Sequence, residues 1–251
     1  MNNLAPVTSI SVLNAFPGLV RTDYLQKTLV PPIDYRDYRM EAHAQTTPMD
    51  EVGGDLADLV SAGPEVTAYV ADVSGHGLRA GVLMGMLKTA MRYGLHLGQP
   101  LAKLLDHINV VLPAVKESNM YATLAALRFD GTNEVEYLSA GHVPLLQYRK
   151  RTREVVRHAM DQFPLGLFQG FSFASRRIRY EAGDIFALVS DGIVEAGIDR
   201  ESEFGFDRLA QILRTHASSP LSEIYEVVRS AVDFHASQED DQTVLLVRAL
   251  A

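Results

Sequence analysis

Cysteine is absent from the 251-residue chain. Without it, disulfide bonds and thiolate metal sites are both excluded. The absence agrees with a reducing compartment, although exported proteins that lack cysteine are also common. We therefore expect a cytoplasmic protein whose chemistry does not depend on a thiol.

Long apolar runs and basic blocks are also missing. No apolar run reaches the ~18 residues of a membrane-spanning helix. The N-terminus, Met1-Asn2-Asn3-Leu4, lacks the basic and then apolar stretch of a signal peptide. The formal net charge is -8, and no Lys/Arg-rich block marks a nucleic-acid surface. We expect no membrane span and no nucleic-acid partner.

Apolar residues, in contrast, are abundant enough for a substantial core. They make up 47% of the sequence, and the length fits one large domain with at most a small appendage. The first part of the chain carries closely spaced prolines and one short helical stretch, Tyr24 to Val30. We predict an N-terminal arm or linker over residues 1–37, with regulation as one possible role, and a main domain over residues 38–251.

Strand-like runs come in pairs joined by short turns. Leu56 to Val60 and Val66 to Val73 flank one turn, and Tyr121 to Phe129 and Glu134 to Ser139 flank another. Strands joined by so short a turn are antiparallel. Further strands are predicted for Arg39–Thr46, Leu145–Tyr148, Ser172–Tyr180, Ile185–Ser190 and Thr243–Val247.

Helical patterns lie between the strand pairs. Gly77 to Tyr93 is rich in Leu, Met and Ala, and Leu101 to Val115 has apolar residues at helical spacing. Phe206 to Thr215 and Leu221 to His235 form a late helical pair. Hairpins with helices inserted in pairs predict an α+β fold, with antiparallel sheets and helices packed outside them.

Several acidic residues share one setting, because each lies at the end of a strand-like run or beside glycine. They are Asp55, Asp72, Asp191 and the pair Asp240-Asp241. Glycine lets the backbone approach a ligand closely, and Mg²⁺ and Mn²⁺ prefer oxygen ligands. Two such ions ~4 Å apart can share a water and lower its pKa, so that the resulting hydroxide attacks phosphorus.

Simpler interpretations stay open at this point. A single Asp-Gly is usually a turn, Asp72 can cap the following helix, and Asp240-Asp241 can be a solvated loop. From the residues alone, a metal site and a set of unrelated turns have about equal support.

In their order, the segments resemble the metal-dependent PPM protein phosphatases, in particular the bacterial SpoIIE/RsbU-type serine phosphatases. The matching segments are Val52–Asp58, Ala71–Gly77, Tyr121–Thr123, Ser139–His142, Pro164–Gly166, Ser190–Ala196, Phe204–Gly205 and Asp240–Thr243. Each is weakly specific alone, but so many in the family's order are highly specific. The resemblance implies two packed antiparallel β-sheets flanked by α-helices.

The resemblance also implies a set of catalytic carboxylates that hold two divalent cations, Mn²⁺ or Mg²⁺. They are Asp55, Asp72, Asp191 and Asp240. The backbone carbonyl of Val73 resembles a further metal ligand. Asp240 is preferred to Asp241 because Thr243 follows it by three residues, as in the family pattern, and Asp241 is the fallback.

Other positions depart from the family or receive no role. The histidine proposed as general acid in eukaryotic relatives falls at Ser74, and His76 lies two residues further on, so no general acid is assigned. His142 is expected to be buried and hydrogen-bonded. Arg36 and Arg39 are expected to be solvated, so no phosphate-binding arginine is named.

The implied function is a metal-dependent serine/threonine protein phosphatase. Its substrate would be a phosphorylated partner protein, an anti-anti-sigma factor of the STAS type or a similar partner-switching component. The alternatives are a non-catalytic pseudophosphatase that binds a phosphoprotein and a two-metal phosphodiesterase. Gln26-x-x-Leu29-x-Pro31 resembles the segment that links sensor domains to this phosphatase domain in relatives, so a homodimer through the arm is also considered.

Overall fold

The computed structural model describes residues 22–197 and 202–250. The strands are β1 (Ile33–Arg36), β2 (Met40–Thr47), β3 (Leu56–Ala62), β4 (Glu65–Val73), β5 (Ala122–Phe129), β6 (Glu134–Ala140), β7 (Leu145–Arg149), β8 (Glu154–His158), β9 (Arg176–Arg179), β10 (Ile185–Val189) and β11 (Gln242–Ala249). The helices are α1 (Thr22–Leu29), α2 (Gly77–His96), α3 (Leu101–Val111), α4 (Asp191–Val194), α5 (Gly205–His216) and α6 (Leu221–His235).

Two antiparallel sheets pack face to face. The first sheet has the strand order β1-β2-β11-β10-β7-β8, and the second has the order β3-β4-β5-β6-β9. Alternation along the strands turns one side of each sheet inward, and Phe129, Tyr137 and Phe186 fill the space between the sheets. Each of the two predicted hairpins, β3-β4 and β5-β6, is therefore part of the second sheet.

Helices cover the outer faces of both sheets. Leu83, Met84 and Leu87 of α2 pack with residues of α3 on the second sheet. Leu209 of α5 and Val228 of α6 belong to the cluster on the first sheet. The resulting helix-sheet-sheet-helix layering confirms the predicted α+β fold class.

Some element ends differ from the predictions for identifiable reasons. Helix α2 continues past Gly94, so this glycine does not end the helix. It allows α3 to pack closely, because a Cβ there would stand 2.2 Å from Leu104 Cδ1. The helix ends before Gly98, which has a φ of +68°. Helix α3 ends at Val111, since Pro113 has no N–H to continue the hydrogen-bond ladder. Strands β1 and β8 were not predicted, and both are short strands at the edges of the first sheet.

The N-terminal arm is described only in part, since residues 1–21 lie outside the described residues. From Thr22 onward it forms α1 and then β1, which pairs with β2. The boundary between the arm and the main domain at residue 37/38 stays a prediction. None of the helices in residues 22–197 and 202–250 has the length and apolar character needed to cross a membrane.

The two arginines near β2 differ from each other. Arg36 is exposed and pairs with Glu41, as expected for a solvated residue. Arg39 is buried, and the prediction of a solvated side chain is wrong for it. Its guanidinium binds the Asp37 carboxylate and the carbonyl of Pro64, so Arg39 fixes the start of β2 against the β3-β4 turn.

Candidate metal centre at the shared edge of the two sheets

The strand register explains why the predicted aspartates meet. In the second sheet Leu56 pairs with Ala71, so Asp55 lies beside Asp72 where β3 begins and β4 ends. In the first sheet β10 and β11 are antiparallel, and Asp191 follows one strand while Asp240 precedes the other. Acidic residues that are far apart in sequence are therefore brought to one edge of the molecule.

Asp241 joins the two sheets at this edge. Its Oδ1 accepts a hydrogen bond from the Met49 N–H at 2.7 Å, and its Oδ2 accepts those of Gly54 at 2.7 Å and Asp55 at 3.3 Å. The side chain is buried. Because both oxygens are engaged by the backbone of the Asp55 loop and its flank, the geometry favours Asp240 over Asp241 as the ligand.

Glycine is required around Asp241 by close packing. A Cβ at Gly53 would stand 2.2 Å from Asp241 Oδ2, and one at Gly192 would stand 2.2 Å from the Asp241 carbonyl oxygen. A Cβ at Gly54 would stand 2.4 Å from the carbonyl oxygen of Val73. The glycines beside Asp55 and Asp191 therefore allow the loops of both sheets to close on one another.

Asp55 is the most deeply buried of the predicted carboxylate ligands. Within the described residues its Oδ2 has no hydrogen-bond partner. Burial raises the pKa of Asp55 well above its usual range, and the charge of Asp72 raises it further, against a lowering effect of the nearby Ser190 and Thr243 hydroxyl groups. A buried carboxylate oxygen without a partner is costly unless a ligand completes its interactions.

Asp72 lies at the centre of the acidic group. Its pKa is raised to about 7, chiefly by burial and then by the charges of Asp191, Asp240 and Asp241, in that order. The pKa of Asp191 and that of Asp240 are also raised, in both cases chiefly by burial. Several carboxylates within electrostatic reach of one another destabilise the charged state, which a cation would relieve.

The donors present fit hard divalent cations. Carboxylates and the backbone carbonyl of Val73 are all oxygen ligands, which Mg²⁺ and Mn²⁺ prefer. Among the described residues, no three acidic or histidine side chains already converge at metal-binding distances. The observations that support a fit are the partnerless oxygen of Asp55 and the raised pKa of Asp72. The ligand roles of Asp55, Asp72, Val73, Asp191 and Asp240 stay predictions.

Two histidines near the site differ in environment. His142 spans the sheets, since its Nε2 donates to the Val189 carbonyl at 2.9 Å and its Nδ1 accepts from the Thr123 hydroxyl at 2.7 Å. Burial lowers its pKa to about 4, so the ring is neutral and structural, as expected. His76 is exposed and lies 2.7 Å from Asp50 Oδ2, and no role as general acid follows from this contact.

One contact to the acidic loop was not foreseen from the sequence. The Gly53 N–H donates to Oε1 of Gln26, a buried residue of α1, at 3.3 Å. The side chain of the N-terminal helix thus reaches the loop that carries Asp55. The only signal in the sequence was the position of this glutamine within the linker-like segment that ends at Pro31.

A nearby cavity of about 230 Å³ opens beside the acidic group. It is lined by Asp191, Gly192, Glu195, Ala196, Gly197, Glu239 and Asp240. Its acidic lining is suited to cations and to groups that approach with a cation, and it would repel a bare anion.

Comparisons with known proteins define the class. The chain has the fold of the PP2C phosphatase domain of SpoIIE from Bacillus subtilis, which is 22% identical with a TM-score of 0.73, over 85% of this chain and 64% of that one. The RsbU and RsbW domains of Rv1364c from Mycobacterium tuberculosis are 24% identical with a TM-score of 0.77, over 88% of this chain and 62% of that one. The serine/threonine phosphatase PstP in complex with two manganese ions is 17% identical with a TM-score of 0.64, over 85% of this chain and 99% of that one.

The family follows from the sequence. The model for stage II sporulation protein E (SpoIIE) matches residues 63–250, and the chain belongs to the SpoIIE family. The phosphoserine phosphatase RsbU of Bacillus subtilis is 25% identical over 232 residues, which cover 89% of this chain and 68% of RsbU. The predicted family is therefore confirmed, and its relative RsbU is a phosphoserine phosphatase. The chain spans 68% of the length of RsbU and 62% of the mycobacterial chain.

We expect Asp72→Asn to stabilise the metal-free protein near neutral pH. Because folding raises this pKa from 3.8 to about 7, the contribution of Asp72 to stability is fully present below pH 3.8 and is lost as the pH rises to 7. The loss is on the order of 4 kcal/mol, and an asparagine avoids it. Urea unfolding in chelator at about pH 5 and about pH 8 measures the change. An equal difference between variant and parent at the two pH values would contradict the prediction.

We expect Asp241→Asn and Asp240→Asn to affect stability differently. An amide at position 241 turns a donor toward backbone N–H groups that now bind carboxylate oxygens, so unfolding free energy should fall by about 1–3 kcal/mol without metal. Asp240→Asn should not lower it, since Asp240 is more exposed than Asp241 and its raised pKa means that folding does not favour its charged form. The urea midpoints of both variants in chelator check this, and a larger loss for Asp240→Asn would reverse the assignment.

Proposed function

We propose that the chain is a metal-dependent serine/threonine protein phosphatase, with Asp55, Asp72, Asp191, Asp240 and the Val73 carbonyl as the ligands of two divalent cations. The observation that carries the proposal is the mutual electrostatic effect of these carboxylates at one edge of the fold. The family supports it, because RsbU is a phosphoserine phosphatase. The manganese ions in the PstP structure support the choice of cofactor.

The chain's own groups have separable tasks in this proposal. Asp72, at the end of the second sheet, lies close enough to interact with the aspartates of the first sheet, since its pKa responds to Asp191 and Asp240. The Asp241 carboxylate and the site glycines hold the Asp55 loop against the Asp191 loop. When bound, the cations would supply an activated water and neutralise the oxygens of the phosphoryl group.

The proposed substrate is a phosphoserine or phosphothreonine residue on a partner protein. RsbU-like proteins and the RsbU and RsbW domains of Rv1364c support a place in partner switching, which makes a STAS-type anti-anti-sigma factor our proposed partner class. A cytoplasmic location and a homodimer formed through the N-terminal arm also remain proposals. The electrostatics of the site favour a substrate whose phosphate approaches together with cations.

A pseudophosphatase that binds a phosphoprotein without hydrolysing it is the second candidate. It predicts binding of phosphopeptides and no release of phosphate. The presence of Asp55, Asp72, Asp191 and Asp240 argues for catalysis, since a binding module has no need of a complete set of hard-metal ligands.

We expect phosphate release to depend on Mn²⁺ or Mg²⁺ and on the acidic group. Asp72→Asn and Asp191→Asn should each lower kcat/KM by on the order of 100-fold or more, because each removes a charged metal ligand. The measurement is phosphate release from a phosphoserine peptide and from para-nitrophenyl phosphate. Asp34→Asn is the matched control, since Asp34 is an exposed aspartate of the edge strand β1 and is not among the proposed ligands.

The same assay separates the alternatives. Full activity of both site variants in the presence of chelator would exclude the mechanism. Faster turnover of phosphodiesters than of phosphoserine peptides would favour a phosphodiesterase. Phosphopeptide binding without release in millimolar Mn²⁺ would favour the pseudophosphatase.

A further inference from the structure

An aromatic loop between β8 and β9 lies next to the candidate site. Residues 159–175, here called the aromatic loop, contain no helix or strand beyond one bridge residue, Leu165. Connections longer than about 12–15 residues without regular structure are uncommon and are usually functional. Leu165 and Phe173 belong to the core under α2 and α3, but neither the core nor the metal ligands account for the exposed residues of the loop.

The loop presents three large apolar side chains to solvent. Phe163, Leu167 and Phe168 are 46%, 48% and 49% exposed. The ring of Phe163 packs at 4.4 Å from that of Phe168 and at 5.2 Å from that of Phe171. These three exposed residues, here called the apolar platform, form a patch whose hydration is unfavourable unless something covers it.

Polar side chains hold the loop in a fixed conformation. Buried Asn109 donates to the Phe168 carbonyl at 3.0 Å and accepts from the Gly166 N–H at 2.7 Å. Gln162 donates to the Ser139 carbonyl at 2.9 Å and accepts from the Ala174 N–H at 2.7 Å. Because the backbone of the loop is held by these hydrogen bonds, it loses little conformational entropy on binding, as in preorganised recognition sites.

The loop is attached to the edge that carries the acidic group. Leu165 exchanges backbone hydrogen bonds with Ala122 at 2.8 and 3.0 Å, and Ala122 pairs with Val73 in the sheet. Two strand spacings place Leu165 about 10 Å from the Val73 backbone. Phe163 and Leu167 are each two residues from Leu165, so the platform lies roughly 10–20 Å from the proposed ligands.

We propose that the apolar platform binds an apolar side chain of the phosphoprotein substrate, three to five residues from the phosphoserine. The inference rests on the proposed function, because it takes the phosphoryl group to lie at the acidic edge. An extended segment advances about 3.3 Å per residue, so three to five residues span the separation. The acidic residues at this edge disfavour acidic residues beside the phosphoserine of the substrate. The apolar surface of the platform favours apolar residues there.

Matched phosphoserine peptides test the proposal. Each has a Gly/Ser background and carries one leucine three, four or five residues before or after the phosphoserine, and the reference peptide has serine there. Leucine in at least one of these places should raise kcat/KM about tenfold, through KM, because its side chain is buried on binding. Para-nitrophenyl phosphate, which has no flanking residues, reports on the integrity of the site.

Three variants of the full chain complete the experiment. Phe168→Ala and Leu167→Ser should abolish the preference for leucine and leave turnover of para-nitrophenyl phosphate unchanged. Leu167 takes part in none of the ring contacts of the loop, so Leu167→Ser decides the matter if Phe168→Ala disturbs the fold. Phe234→Ala is the control, because Phe234 is 95% exposed on α6.

A preference for leucine that persists in both platform variants, or that is absent from the parent at every placement, would overturn the proposal. If neither para-nitrophenyl phosphate nor any peptide is hydrolysed in Mn²⁺, the proposed function fails. Binding of the same peptides, now carrying a fluorescent label and measured by fluorescence anisotropy, then tests the apolar platform independently of catalysis. Tighter binding of a leucine peptide that is lost in Leu167→Ser would support it, and equal binding of all peptides would reject it.

Discussion

Repulsion between carboxylates that folding gathers at one edge is the constraint to which the rest of this structure is adapted. The pKa of Asp72 rises to about 7 because the group is buried and faces Asp191 and Asp240. Such an edge persists only because other parts of the fold hold it in place. The hydrophobic layers between and outside the two sheets supply that stability, since burial of their side chains holds the sheets and helices together.

The loop before β3 shows how the arrangement is fixed locally. Gly53, Gly54 and Asp55 are bound from two directions, by the Gln26 amide of α1 and by the carboxylate of Asp241. Asp241 accepts from backbone groups that would otherwise be buried without partners, so its negative charge is compensated by N–H dipoles. The Asp240 carboxylate accepts only the N–H of the adjacent Asp241 among the described residues, at 2.7 Å, and stays exposed. Of these two adjacent aspartates, Asp241 therefore binds the loop before β3, and Asp240 lines the neighbouring cavity.

Much of the fold was predictable because its local signals agree. The hairpins β3-β4 and β5-β6 have short turns between apolar runs, and the amphipathic helices follow from periodicity. The exposed edge strands β1 and β8 have weak apolar patterns and were missed. The clustering of Asp55, Asp72, Asp191 and Asp240 was predicted from strand ends and from the family pattern. The contacts of Asp241 were not, because Gly54 lies 187 residues away in sequence and only the packing of the sheets brings the two together.

The aromatic loop is a second feature that could not be predicted from the sequence. Its phenylalanines have no periodicity that sequence analysis can use, and only Pro164, Leu165 and Gly166 matched a family segment. Those three residues turn out to be the attachment: Leu165 pairs with β5, and Pro164 packs on Gly141, where a Cβ would stand 2.5 Å from the proline ring. The flanking residues carry the exposed rings. The loop is thus attached rigidly at the acidic edge and carries, on either side of the attachment, the exposed residues that we propose to select the substrate.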